Sequence, residues 1–443
     1  MAILKGYPRI CQLFLCCVFV SAGAFAQDLN EQDRQRIQEL TWQDHQAMLR
    51  MLGIESLRPG PSGDPDAPNA ANQNERMAGP FSELPDPLRF DDGQVVDSPA
   101  AWRARRAEIA EHFDREVYGR VPDEIPAVTW KLVGTEDRTH GSVAATQFQY
   151  TGQIASPSAS VPVDAVLDLT LTLPVGESEQ VPVILAFTWS EAIRQRFPEP
   201  EPGWKEQVLA MGWGCAELMP TELQADHGAG LQEGVIGLLN QGERRDADDW
   251  GALRAWAWGA SRVLDLMETL PAIDAKRVGI EGLSRYGKAA LVTMAYDERF
   301  AIALVGSSGA GGAKILRRIF GEQVENLASS YAYHWFAPNF IRYAGPLSVD
   351  DLPVDAHQLI AMCAPRPVFI SVGSPDVEGQ WIDARGMFLA AVEASPVYEF
   401  LGARGLETDE FPLLGTGLLD GELAFRQHEG GHTVYPNWPY FLD

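Results

Sequence analysis

The chain has 443 residues, 46% of them hydrophobic and 22% charged, which excludes a disordered or collagen-like protein and suffices for one large core or two smaller ones. Its formal net charge of −26 argues against nucleic acid as a partner, because phosphate contacts require clustered Lys and Arg.

Lys5 and Arg9 give a basic start, residues 10–20 are largely apolar, and Ala24-Phe25-Ala26 satisfies the small-residue cleavage rule. Residues 1–26 therefore read as a signal peptide cleaved before Gln27, and the protein as exported, to the periplasm or beyond. The apolar run is short for a membrane span, which needs roughly 20 residues, and no later stretch qualifies, so no membrane association is expected. Cys11, Cys16 and Cys17 leave with that segment. Cys215 and Cys363 remain in apolar contexts; buried free thiols are the default reading, and a disulfide between them stays open.

Residues 27–55 read as a helix, with Leu40, Trp42, Met48, Met51 and Leu52 loosely at helical spacing. Residues 58–88, rich in Pro, Gly, Asn and Asp, read as loop. Ala100 to Tyr118 is a second helix with Trp102, Ile109, Phe113 and Val117 on one face, ended by Gly119. The period then changes to that of strands at 128–133, 145–150 and 165–173, with buried central strands at 181–187 and 212–218. From Trp250 onward helix and strand alternate: a helix from Ala252 to Leu270, a strand at 278–282, a helix from Gly287 to Asp297, and strands at 301–305 and 367–372. Such alternation predicts a mostly parallel central sheet covered on both faces, a three-layer α/β sandwich. Antiparallel strands followed by β-α-β units give the order of the α/β-hydrolase fold. One catalytic domain over 27–443, with an N-terminal helical extension over about 27–120, is the simplest division.

The sharpest local signal is Gly279-Ile-Glu-Gly-Leu-Ser284-Arg-Tyr-Gly-Lys288. A strand enters, Gly282 lies two residues before a serine, and a helix leaves at once, as at a nucleophile elbow. The usual second glycine is displaced, three residues after Ser284 instead of two. The Arg285 backbone N–H is the expected first oxyanion donor, and Lys288 projects one helical turn on. The strand ending at Phe187 runs into Thr-Trp-Ser and lacks a His-Gly-Gly loop, so the Arg285 guanidinium is expected to supplement the oxyanion donors.

His428-Glu-Gly-Gly-His432 matches the H-E-x-x-H zinc pattern, but two adjacent glycines, each costing about 1 kcal/mol inside a helix, favour a loop. A Gly-rich loop near the C-terminus is where an α/β-hydrolase carries its base, which points to His432. The other mature histidines (45, 112, 140, 227, 334, 357) take a structural role by default. The acid of a triad would come from the loop after the strand at 368–372, where Asp376 and Glu378 both qualify.

These features, with Ser-Gly-Ala-Gly-Gly at 308–312, Arg-Arg-Ile-Phe-Gly-Glu at 317–322, Ala-Pro-Arg-Pro at 364–367 and Trp381, resemble the glucuronoyl esterases of carbohydrate esterase family 15 over roughly residues 100–443. The resemblance implies cleavage of the ester between 4-O-methyl-glucuronic acid on xylan and lignin alcohols, through a serine acyl-enzyme, with neither cofactor nor metal; a monomer is expected, though the sequence itself does not fix the oligomeric state. It implies Ser284 as nucleophile, Arg285 as oxyanion donor and His432 as base. Lys288 would bind glucuronate hydroxyls, Glu322 would accept a hydrogen bond from the sugar, and Trp381 would form an aromatic wall. Fungal members carry the acid where this chain has Ser307; the spacing of bacterial relatives favours Glu378 over Asp376. The competing readings are another secreted carbohydrate esterase such as an acetyl xylan esterase, a zinc peptidase using His428 and His432, and an inactive carbohydrate-binding relative.

Overall fold

The computed structural model describes residues 30–79, 81, 83–155, 165–176 and 179–443; the expected signal peptide lies outside them. Among the described residues, ten strands form one sheet in the order β1-β2-β3-β5-β4-β6-β7-β8-β10-β9. The strands β1 (Val128–His140), β2 (Val143–Ile154) and β3 (Ala165–Pro174) form an antiparallel front that joins β5 (Gly214–Leu218). From β5 through β4 (Val181–Phe187), β6 (Ile273–Leu283), β7 (Ile302–Gly306) and β8 (Val368–Val372) to β10 (Leu423–Gln427) every pairing is parallel. The short β9 (Gly417–Leu418) closes the far edge antiparallel to β10. The central strands read as near-continuous apolar runs because both faces are covered; all five residues of β8 are buried.

Helix α1 (Glu31–Met51) starts at Asn30, whose side chain accepts from the Asp33 N–H. Its packed face differs from the one expected. Asp44, His45, Met48 and Leu49 are buried, whereas Leu40, Trp42 and Met51 face solvent, because polar contacts from Thr41 and Asp44 to two inner segments set its rotation. Helix α2 (Pro99–Glu116) is capped by Ser98, begins with a proline, and buries Trp102, Ile109 and Phe113 as the periodicity predicts.

One face of the sheet carries the larger core, into which α3 (Ala252–Met267) and α4 (Arg285–Tyr296) pack, with Trp250, Trp256 and Tyr286 wholly buried. Helix α5 (Ala384–Phe400), not anticipated from the sequence, contributes Met387 and Phe388 to the same core. The other face, lined by Ile184, Ala186, Leu304 and Phe369, is closed by Trp204 and Trp438, whose rings stack at 5.2 Å. Full burial of such side chains contributes on the order of 1.5–3 kcal/mol each. Cys215 belongs to the smaller core and Cys363 to the larger; both are free and buried, so no bridge joins them. No helix among the described residues is long and apolar enough to cross a membrane.

Candidate active site

Ser284 stands between β6 and α4 at φ 64°, ψ −126°, a conformation a non-glycine residue holds at a cost of about 1–3 kcal/mol. Two glycines make the turn possible. A Cβ on Gly282 would lie 2.1 Å from the Tyr286 carbonyl oxygen, and one on Gly287 would lie 2.5 Å from the Gly306 carbonyl oxygen on β7. The displaced glycine of the sequence motif thus allows the first turn of α4 to approach the neighbouring strand. The position two after the serine is filled by the buried Tyr286 ring, 4.2 Å from Trp189. The Ser284 N–H donates to Gly306 O at 2.8 Å, tying the Ser284 backbone to the end of β7.

Arg285 opens α4, so its backbone N–H lies in the first helical turn, where such donors lack an intrahelical acceptor. Its guanidinium is buried, hydrogen-bonded to the Asp226 carboxylate, with Trp189 and Trp335 ring centroids at 5.5 and 5.2 Å. Asp226 Oδ1 also accepts from Trp335 Nε1 at 2.6 Å and faces His334 Nε2 at 3.0 Å. Burial alone would push the Asp226 carboxyl up, but the Arg285 guanidinium and these donors hold it well below the usual carboxylate range. His334, buried, is held below the usual imidazole value.

Lys288 is buried one turn further along α4. Its ammonium donates to Ser308 O at 2.5 Å and Ala310 O at 2.7 Å and lies 3.8 Å from Glu322 Oε2. With two of its three donors used on carbonyls, the third is left to Glu322. Burial, reinforced by Arg285 and Lys314, lowers the Lys288 pKa, and Glu322 opposes that shift. The Glu322 N–H donates to Trp381 O at 3.0 Å, and Gly321 passes so close that a Cβ there would lie 2.2 Å from the same carbonyl oxygen. Lys288, Glu322 and the half-buried Trp381 therefore belong to one region.

The loop after β10 carries His432. A Cβ on Gly373 would lie 2.4 Å from Gly431 O, so this glycine lets the loops after β8 and β10 touch. His432 Nδ1 faces Glu378 Oε1 at 2.5 Å, and Glu378 Oε2 accepts from the Gly373 N–H at 2.5 Å. The Glu378 side chain is 1% exposed, whereas Asp376 lies at the surface. The structure thus brings Glu378, and not Asp376, to His432. The same loop then crosses the end of β7, where a Cβ on Gly306 would lie 2.1 Å from Val434 Cγ1 and 3.3 Å from Leu283 Cδ1, the residue before Ser284.

His428 does not share this environment. Its Nδ1 accepts from the Gly430 N–H at 3.0 Å and its Nε2 lies 2.8 Å from Thr433 O, in a loop rather than on a helix. Both ring nitrogens are engaged within the loop, and His432 presents Nδ1 to Glu378, so the H-E-x-x-H spacing does not form a two-histidine helical site. No group of three or more His, Cys, Asp or Glu among the described residues has metal-binding geometry. Sequence reasoning missed Asp226, Trp335 and Trp189, and took His334 as merely structural. The available signal was the position of Asp226 after β5, at the carboxyl edge where parallel sheets gather their ligands.

Residues 239–402 match the family model described as glucuronyl esterase, fungi. A carbohydrate esterase, MZ0003, from an unknown prokaryotic organism is 31% identical over 418 residues, 86% of this chain and 93% of that one. A CE15 glucuronoyl esterase from Teredinibacter turnerae is similar in structure at a TM-score of 0.85 and 46% identity, covering 91% of this chain and 98% of that one. A glucuronoyl esterase from Solibacter usitatus follows at a TM-score of 0.74 and 32% identity, covering 83% and 98%. With an α/β-hydrolase sheet and relatives of this identity along most of both chains, the protein belongs to the CE15 glucuronoyl esterases, a family of carboxylic-ester hydrolases.

Proposed function

We propose that the protein hydrolyses the ester between 4-O-methyl-glucuronic acid on xylan and a lignin alcohol, with Ser284, His432 and Glu378 as its catalytic triad. The observation that carries this reading is the His432–Glu378 contact at 2.5 Å on a loop that packs beside the strained Ser284 turn. Glu378 holds the tautomer with the proton on Nδ1, which leaves Nε2 as the base. His432 takes the Ser284 hydroxyl proton as the oxygen attacks the ester carbonyl. The Arg285 N–H and guanidinium stabilise the resulting oxyanion. The intermediate collapses as His432 returns the proton to the departing alcohol, leaving a glucuronoyl-serine ester. Water, deprotonated by His432, then releases the acid and restores the serine.

The Lys288–Glu322 pair, 3.8 Å apart, suits a sugar hydroxyl, which can accept from the ammonium and donate to the carboxylate, and Trp381 suits a sugar face. A hydroxyl-bearing acyl group fits this pair better than acetyl does. The basic start, apolar run and Ala24-Phe25-Ala26 support export; recovery of mature protein beginning at Gln27 tests it. For the chemistry, wild type should hydrolyse benzyl glucuronate and Ser284→Ala should not. Residual turnover at the wild-type rate would remove Ser284 from the mechanism, and a preference for acetylated xylan would transfer the protein to the acetyl esterases.

A further inference from the structure

An arginine that serves as oxyanion donor must have its long side chain aimed. A flexible one contributes little to a transition state unless its guanidinium is fixed before charge develops. In this protein the Arg285 guanidinium is fixed from outside the triad. Asp226 comes from the loop that follows β5 and the short helix Pro220–Leu223, and Trp335, which both donates to Asp226 and flanks the guanidinium, comes from a short turn at residues 333–335.

Those two segments touch each other and share one support. A Cβ on Gly228 would lie 2.1 Å from the Tyr333 hydroxyl, so the Asp226 loop and the 333–335 turn are in direct contact. Both lean on α1: the Ala229 N–H donates to Thr41 Oγ1 at 3.0 Å, and the Tyr333 hydroxyl donates to Asp44 Oδ2 at 2.8 Å. The His45 ring lies 4.7 Å from the Tyr333 ring. These contacts explain why α1 buries Asp44 and His45 while exposing Leu40 and Trp42.

Resting on the oxyanion role of Arg285 in the proposed mechanism, we propose that Asp226 is the positioning residue of Arg285, and that the N-terminal helix α1 sets its place by clamping the two segments that converge on it. Asp226 touches no reacting atom in this scheme. It acts through Arg285, and α1 acts through Asp226 and Trp335.

The test is a double-mutant cycle on benzyl glucuronate with Asp226→Asn, Arg285→Ala and the pair. Loss of an oxyanion donor lowers kcat by about 100-fold, and Asp226→Asn, which keeps the shape but removes the charge that holds the guanidinium, should lower it by about 10- to 100-fold with KM changed less than about threefold. The double variant should be no slower than Arg285→Ala alone, a coupling that general damage to the fold would not produce. Tyr333→Phe, which removes only the hydroxyl that Asp44 accepts from, should lower kcat severalfold in the wild-type background and have no effect beside Arg285→Ala. Should Asp226→Asn fail to fold, the Tyr333→Phe cycle carries the same test. Multiplying effects in the cycle, or a rise in KM at unchanged kcat, would overturn the proposal. Full activity of Arg285→Ala or Ser284→Ala would instead overturn the mechanism beneath it.

Discussion

Replacing Glu378 by glutamine is the most direct probe of the acid. The carboxylate has two tasks in the structure: Oε1 faces His432 Nδ1 at 2.5 Å and Oε2 accepts from the buried Gly373 N–H at 2.5 Å. A glutamine keeps the volume and can keep the second bond, but its amide can turn an N–H toward His432 and favour the tautomer whose proton sits on the catalytic nitrogen. Loss of kcat for that change in a serine triad is about 10⁴-fold, equivalent to about 5.5 kcal/mol of activation free energy. KM should stay within a few-fold, because the Glu378 side chain is buried and both its oxygens are engaged by His432 and Gly373. Glu378→Ala should lose comparable activity and also stability, because an orphaned buried N–H costs about 1–3 kcal/mol. Asp376→Ala, at an exposed position, should behave almost as wild type. Steady-state kinetics on benzyl glucuronate with a parallel urea titration separates these effects. A crippled Asp376→Ala beside a nearly normal Glu378→Gln would refute the reasoning.

Burial, with Glu199 nearby, pushes the Glu281 carboxyl up to about 8 from 4.5. Between those values the folded chain holds a proton that the unfolded chain releases, so this residue makes stability fall as pH rises, by up to about 1.4 kcal/mol per pH unit. Glu281→Gln should flatten that slope in urea titrations run near pH 5 and near pH 8; an unchanged slope would assign the dependence elsewhere. Gly287→Ala would place a Cβ 2.5 Å from the Gly306 carbonyl oxygen, so the chain must shift; a loss of about 1–3 kcal/mol is expected, with a matching fall in kcat from the disturbed Ser284 turn. Incubation with EDTA should leave ester hydrolysis unchanged, and a loss restored by zinc would revive the histidine-pair reading.

The parts of the site legible in the sequence are those written locally. A strand, a small residue, a serine and a helix lie within ten positions around Ser284, and the Gly430-Gly431-His432 loop marks itself by composition. The choice between Asp376 and Glu378 was not local, since both sit two residues apart in one loop and only the fold decides which carboxylate turns inward. Strand β10 was obscured because Leu-Ala-Phe-Arg-Gln is short and ends in polar residues, although Arg426 and Gln427 are buried through hydrogen bonds to Asn437 and Gly373. The sugar-binding roles proposed for Lys288, Glu322 and Trp381 rest on family resemblance, since no local pattern in the sequence marks them. The Asp226 anchor escaped altogether: its partners lie 59 and 109 residues away, and no periodicity records such a pairing.

The backbone angle at Ser284 sets stability and turnover against each other at one position. Glycine would occupy φ 64° without the steric penalty that serine bears, about 1–3 kcal/mol, yet it would lack the hydroxyl that the proposed mechanism uses. A library of random variants sorted for thermal endurance alone should therefore tolerate or enrich glycine at 284 and so drift toward an inert, hardier protein. Only a screen that demands product keeps the hydroxyl in place.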